Sequence, residues 1–95
     1  MEAGKLYICE EYFLLLYPDP ETAATASTCG NVTAGVAEGF ATYWSKRFEK
    51  PVYYTEKKVP LLVLNNKKEY IEVLAGDKKG WIRVKDWLGI KEMIQ

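Results

Sequence analysis

Histidine is absent from the sequence. That removes imidazole general-base chemistry, His-ligated zinc, and Ser-His-Asp or Cys-His catalysis. Cysteine occurs only as Cys9 and Cys29, with no Cys-x-x-Cys spacing. Two readings stay open: two buried thiols in a reducing compartment, or one bridge between them. No run approaches membrane-spanning length. Residues 1–17 lack the basic start, apolar core and small-residue cleavage site of a secretory leader, so a cytoplasmic protein is expected. The formal net charge is zero, which by itself gives no reason to expect a nucleic-acid partner.

The chemistry-bearing residues that do occur are not assembled into a motif. Among the thirteen acids, Glu10-Glu11, Glu69 with Glu72, and Asp77 with Asp86 read as solvated charges. None stands opposite an electrophilic group, and the regular oxygen spacing of a calcium loop is missing. Gly30-Asn31-Val32-Thr33-Ala34-Gly35 has the glycine spacing of a phosphate loop. Val36 and Ala37 stand where Lys and Ser or Thr are required, so it is rejected as a nucleotide site. The helix start there could hold an anion only weakly. Asn31-Val32-Thr33 matches the glycosylation sequon, a pattern common by chance. No catalytic residue, metal site or cofactor is expected.

What the sequence has is apolar and aromatic material. Ninety-five residues, 48% hydrophobic and 14% aromatic, make one ordered domain with a single core. The charges are segregated: residues 1–45 carry one base and six acids, residues 46–95 twelve bases and seven acids. Such a division favours head-to-tail association or a charged partner, unless the two halves interleave in the fold.

The stretch Val59–Ile90 organises the rest. Short apolar runs are separated by turn chemistry at Asn65-Asn66-Lys67-Lys68 and at Gly76-Asp77-Lys78-Lys79-Gly80, which predicts an antiparallel meander. Ile71, Val73 and Ala75 alternate with Tyr70 and Glu72; Ile82 and Val84 alternate with Trp81, Arg83 and Lys85. That period of two marks half-buried strands. Residues 5–9 and 52–56 read as further strands. Residues 12–17 read as a strand buried on both faces or a buried helix, and Pro18 ends either. Asp19-Pro20-Glu21 is a helix start of a turn or two. The tail after Trp87 predicts a helical turn and a closing strand.

Residues 34–49 are the clearest helix. Val36, Phe40, Tyr43, Trp44 and Phe48 recur at helical spacing. Thr33 is placed to cap the start, Lys46, Arg47 and Lys50 suit the end, and Pro51 stops it. The stripe is expected to bury against the sheet, with residues 13–17 sandwiched between helix and meander. A groove between helix and sheet is the other reading.

Several of these segments resemble the bacterial branch of the SH3-like family. Leu6-Tyr7-Ile8-Cys9 and Phe13–Glu21 are similar to its opening strand and Pro-containing loop. Pro51–Tyr54 and Val59–Leu64 are similar to its next strands, and Glu69–Val73 to the one after. Gly80-Trp81-Ile82 and Trp87-Leu88 resemble its closing motifs. The resemblance implies a mainly β fold with one inserted α-helix: a small antiparallel SH3-like barrel, residues 1–95, with a helical insertion at about 22–50. It also implies a non-catalytic module. Tyr17, Tyr70 and Trp87 would be groove aromatics with Trp81 beside them, binding a protein or an extended peptide. The other reading is that these rings cap the barrel or meet the inserted helix.

Two partner readings accompany this. The aromatic helix could pair two copies into a homodimer. Alternatively, Lys57-Lys58, Lys67-Lys68 and Lys78-Lys79 fall in expected turns. Two of these pairs at one end, near Tyr53, Tyr54, Trp81 and Arg83, could bind single-stranded nucleic acid. Solvated turns and edge protection explain the same lysines without a ligand.

Overall fold

The computed structural model describes residues 2–26, 31–86 and 89–93. The chain runs β1 (Leu6–Cys9), β2 (Phe13–Leu16), α1 (Pro20–Thr25), β3 (Asn31–Val32), α2 (Ala34–Phe48) and β4 (Tyr53–Thr55). The meander follows as β5 (Leu61–Lys67), β6 (Tyr70–Ala75) and β7 (Lys78–Arg83), then a 3-10 turn (Val84–Asp86) and β8 (Ile90–Glu92). All strand pairings are antiparallel. One sheet has the order β7-β6-β5-β1-β8, the other β3-β2-β4. The structure is therefore mainly antiparallel β with two helices. α1 is the turn or two of helix expected after Asp19, which makes two helices where the resemblance implied one, and the expected barrel is corrected: the sheets do not close.

Both hairpins of the meander are tighter than their turn-forming residues suggest. Lys67 pairs with Tyr70 and Ala75 with Lys78, so each loop has two residues. Asn65, Asn66 and Lys67 belong to β5, and Lys78, Lys79 and Gly80 to β7. Gly76 opens its loop with φ +63°, the conformation a two-residue hairpin needs at that position. Lys68 adopts φ +61° at the matching position, where its Cβ is unfavourable. Its N–H donates to Asn66 Oδ1 at 2.9 Å, which steadies the turn. A bulge between Val63 and Asn65 shifts the register of β5 against β6.

The core lies in two layers on either side of β2. Leu14 and Leu16 pack with Val63, Ile71, Val73 and Ile82 of the meander. Leu15 and Tyr17 pack with Ala37, Ala41 and Val52, and with the half-buried Trp44 and Phe48. Residues 13–17 thus form the two-faced strand, one face to the meander and one to the helix. Each fully buried Leu of β2 contributes about 1.5–3 kcal/mol, so this strand is the apolar spine.

The two sheets join where β2 runs into Tyr17. The Tyr17 N–H donates to the Trp81 carbonyl at 3.0 Å, and the Trp81 N–H donates to the Tyr17 carbonyl at 2.7 Å. Gly80 makes this approach feasible: a Cβ there would fall 2.5 Å from Leu16 Cβ and 2.9 Å from the Leu16 carbonyl carbon. Both contacts are closer than packed carbon atoms tolerate.

Asp19 begins α1 as a capping residue. The Thr22 N–H donates to Asp19 Oδ1 at 2.7 Å, and the Asp19 N–H reaches Thr22 Oγ1 at 3.4 Å. Lys50, just beyond α2, places Nζ 3.1 Å from Asp19 Oδ2 and so ties the two helices together. Thr33 stands at the N-cap of α2, but its side chain makes no cap hydrogen bond. The backbone N–H of Thr22, aided by Lys50 and opposed by partial burial, holds the Asp19 carboxyl below its ordinary 3.8.

A depressed carboxyl stabilises the fold above its unfolded value, and that contribution is lost as pH falls through the folded value. Asp19→Ala is therefore expected to cost about 1 kcal/mol at neutral pH. The exposed Lys50 pair adds little to that. Urea unfolding of both proteins across pH should show the gap closing below the ordinary carboxylate range.

Candidate functional site

Of the residues expected to line a groove, Tyr17 and Trp81 are brought together but not opened. Tyr17 is 2% exposed and Trp81 8%. The Tyr17 ring stands edge-on to Phe48 of α2 at 6.5 Å. Tyr70 is half-buried in the same helix-side cluster. Lys67 Nζ lies 5.3 Å from the centre of the Trp81 ring. Trp87 and Leu88 lie outside the described residues, as does Cys29, so the two readings of Cys9 and Cys29 both stand; Cys9 is buried. The physical cause of the closure is the packing of the two helices. α1 lies against β7, and the end of α2 lies against Tyr17. The end of α2 covers Tyr17, and Tyr17 and Trp81 present little open surface.

The aromatic surface that is open lies on the other side of α2. An α-helix advances about 100° per residue. Ala37, Ala41, Trp44 and Phe48 therefore share one stripe, and they face the core. Val36, Phe40 and Tyr43 lie roughly a quarter turn away, and they are 43%, 37% and 55% exposed. The expectation that this stripe buries against the sheet holds for Trp44 and Phe48 and fails for these three. Small alanines let helix and sheet approach closely, and the bulky residues are displaced to the flank.

Gly35 and Gly39 sit one turn apart beside Tyr43. A Cβ added at either would meet nothing within 4 Å, so no internal contact requires a glycine there. Together with Val36, Phe40, Tyr43 and Trp44 they line a shallow cavity of 430 Å³. Tyr43 and Trp44 meet edge to face at 5.0 Å, and Trp44 stacks on Phe48 at 5.1 Å, which fixes the cavity's aromatic wall. The Trp44 indole N–H is buried and has no acceptor among the described residues. One signal in the sequence separates the two stripes. The 37-41-44-48 series is apolar throughout, whereas 36-40-43 continues to Arg47.

The lysine pairs are drawn into the sheet as well as into turns. Lys78 Nζ lies 4.7 Å from the centre of the Tyr53 ring, and Lys79 Nζ is 4.0 Å from Glu72. Lys57-Lys58 occupy an exposed turn. A larger groove of 710 Å³ runs between α2, β4 and the β6–β7 turn. Among the described residues, no group of three or more Cys, Asp or Glu is placed to hold a metal ion. Among the described residues no helix is long and apolar enough to cross a membrane. Comparison with protein-family models, with curated proteins and with solved structures finds no match.

Glycine inside a helix costs about 1 kcal/mol relative to alanine. Gly35→Ala and Gly39→Ala are each expected to raise unfolding free energy by roughly that amount, since the added methyl meets open space. Thermal and urea unfolding check this; a loss of stability would show that the glycines serve the fold.

Proposed function

We propose that the protein is a non-catalytic interaction module that binds a protein segment on the outer face of α2. The observation that carries this reading is the pairing of Gly35 and Gly39 with exposed Val36, Phe40 and Tyr43. Two glycines weaken the helix by roughly 2 kcal/mol together, a sizeable share of a small domain's stability of about 5–15 kcal/mol. Nothing among the described residues uses the space they leave. A partner backbone or ring approaching α2 closely would use it. Exposed aromatic side chains around such a recess supply large contact area at low entropic cost.

The order of elements supports an SH3-like reading of the fold. The meander β5-β6-β7 passes through a 3-10 turn to β8, β8 pairs with β1, and β1 pairs with β5. The departure is at β2, which reaches β7 through the Tyr17–Trp81 bridge alone and leaves the two sheets separate. We place the module in the cytoplasm, because two cysteines suit a reducing compartment better than a disulfide-stapled exterior. Nucleic acid is the weaker reading of its partner. Lys67 and Lys78 already lie over the Trp81 and Tyr53 rings, the stacking platforms a single strand would use.

A photo-crosslinking side chain at position 43 tests the reading in cells. A discrete adduct is expected from position 43. It should be lost when Phe40→Ser is added and absent when the crosslinker replaces Lys57. No adduct from position 43, or equal adducts from both positions, would count against it. Gly39→Ala should reduce the adduct while raising thermal stability, a combination that mere structural damage does not produce.

A further inference from the structure

The groove on the opposite flank of α2 has a different construction. Five consecutive residues, Val52 to Glu56, line it. Successive side chains of a strand point to opposite faces, so an unbroken run lines a groove only when the strand's edge faces it. β4 is such an edge: it is hydrogen-bonded to β2 on one side and ends the order β3-β2-β4.

Side chains already meet Val52 at both its backbone groups and Glu56 at its carbonyl. The Ser45 hydroxyl accepts from the Val52 N–H at 2.9 Å and donates to the Val52 carbonyl at 3.3 Å, as a neighbouring strand would. The Thr55 hydroxyl donates to the Glu56 carbonyl at 3.0 Å. Between them, the outward backbone groups of β4 have no protein partner among the described residues. Ala41 and Val52 give the groove an apolar side, Val59 and Ala75 the facing one. Its volume lies within the range of about 300–1,000 Å³ found for ligand sites.

The rim carries more acids than bases. Glu38, Glu56 and Asp77 border the groove, and none forms an ion pair among the described residues. Of the two bordering lysines, Lys78 lies over the Tyr53 ring and only Lys46 is uncommitted. We infer that β4 takes an extended polypeptide segment as an added strand, a short β-branched run flanked by Lys or Arg. Main-chain hydrogen bonds to the edge hold it, and the apolar walls accept alternate side chains. This surface is separate from the outer face of α2.

The probe is the peptide acetyl-Lys-Thr-Val-Thr-Val-Lys-amide, titrated into the isotope-labelled full chain and followed by amide NMR. Shifts are expected at Tyr53 to Glu56 and at Ser45. Two further peptides, N-methylated at alternate residues in either register, separate edge pairing from surface adhesion. One of the two should bind at least about fivefold more weakly, the loss of a main-chain hydrogen bond. Thr42→Trp, which fills the groove from the helix side, should abolish the shifts. Glu38→Lys with Glu56→Lys should weaken binding, more so at low salt. No shift along 53–56 at millimolar peptide, equal binding of both N-methylated peptides, or unchanged binding to Thr42→Trp would each overturn the inference. A Phe40→Ser, Tyr43→Ser variant should bind the peptide unchanged, so the two surfaces stand or fall separately.

Discussion

The pair of hydrogen bonds between Tyr17 and Trp81 is the constraint on which the rest of the structure depends. A single main-chain hydrogen bond contributes only about 1 kcal/mol net, but leaving its groups buried and unmade costs more. Both residues here are buried, so opening the bridge would strand four backbone groups away from water. The bridge also sets where β2 lies on the meander. Gly80 is needed because Leu16 comes too close for any side chain at that position. With β2 pinned there, Leu14 and Leu16 must face the meander, and Leu15 and Tyr17 must face outward. The second layer exists to cover that outward face.

The covering of the outward face determines which surfaces are left for partners. α1 lies against β7, and α2 lies over β2 and β4 with its alanine stripe inward. The Tyr17 ring is covered by this packing. The aromatic flank of α2 is left open as a consequence, and the edge of β4 is left without a neighbour. The same packing thus covers Tyr17 and leaves two surfaces on opposite flanks of α2.

Much of the fold was legible in the sequence. The period-two alternation of Ile71, Val73 and Ala75 is strong because one sheet face is buried and the other is not. The span of α2 was legible because Pro51 and the aromatic repeat bound it. The inward face of α2 was misjudged because alanine is a weak hydrophobic signal beside phenylalanine and tyrosine. Large rings dominate any reading by residue type, while close packing against Leu15 and Val52 selects small ones. The turn positions were misplaced by one or two residues. Asn and Lys pairs suggest loops, yet cross-strand pairing extends β5 through Lys67 and starts β7 at Lys78. Pairing of β2 to β7 and the open edge of β4 are long-range facts with no local signature. The recess at Gly35 and Gly39 has no local signature beyond two helix-weakening glycines, and it is seen only once the described residues are found to leave that space open.

Native-state hydrogen exchange of the Tyr17 and Trp81 amides tests the central claim most directly. Both should exchange only through global unfolding, with the same opening free energy and denaturant dependence as Ile71 and Val73 in the meander. Exchange of the two bridge amides through a local opening of much lower free energy, while Ile71 and Val73 stay protected, would contradict it.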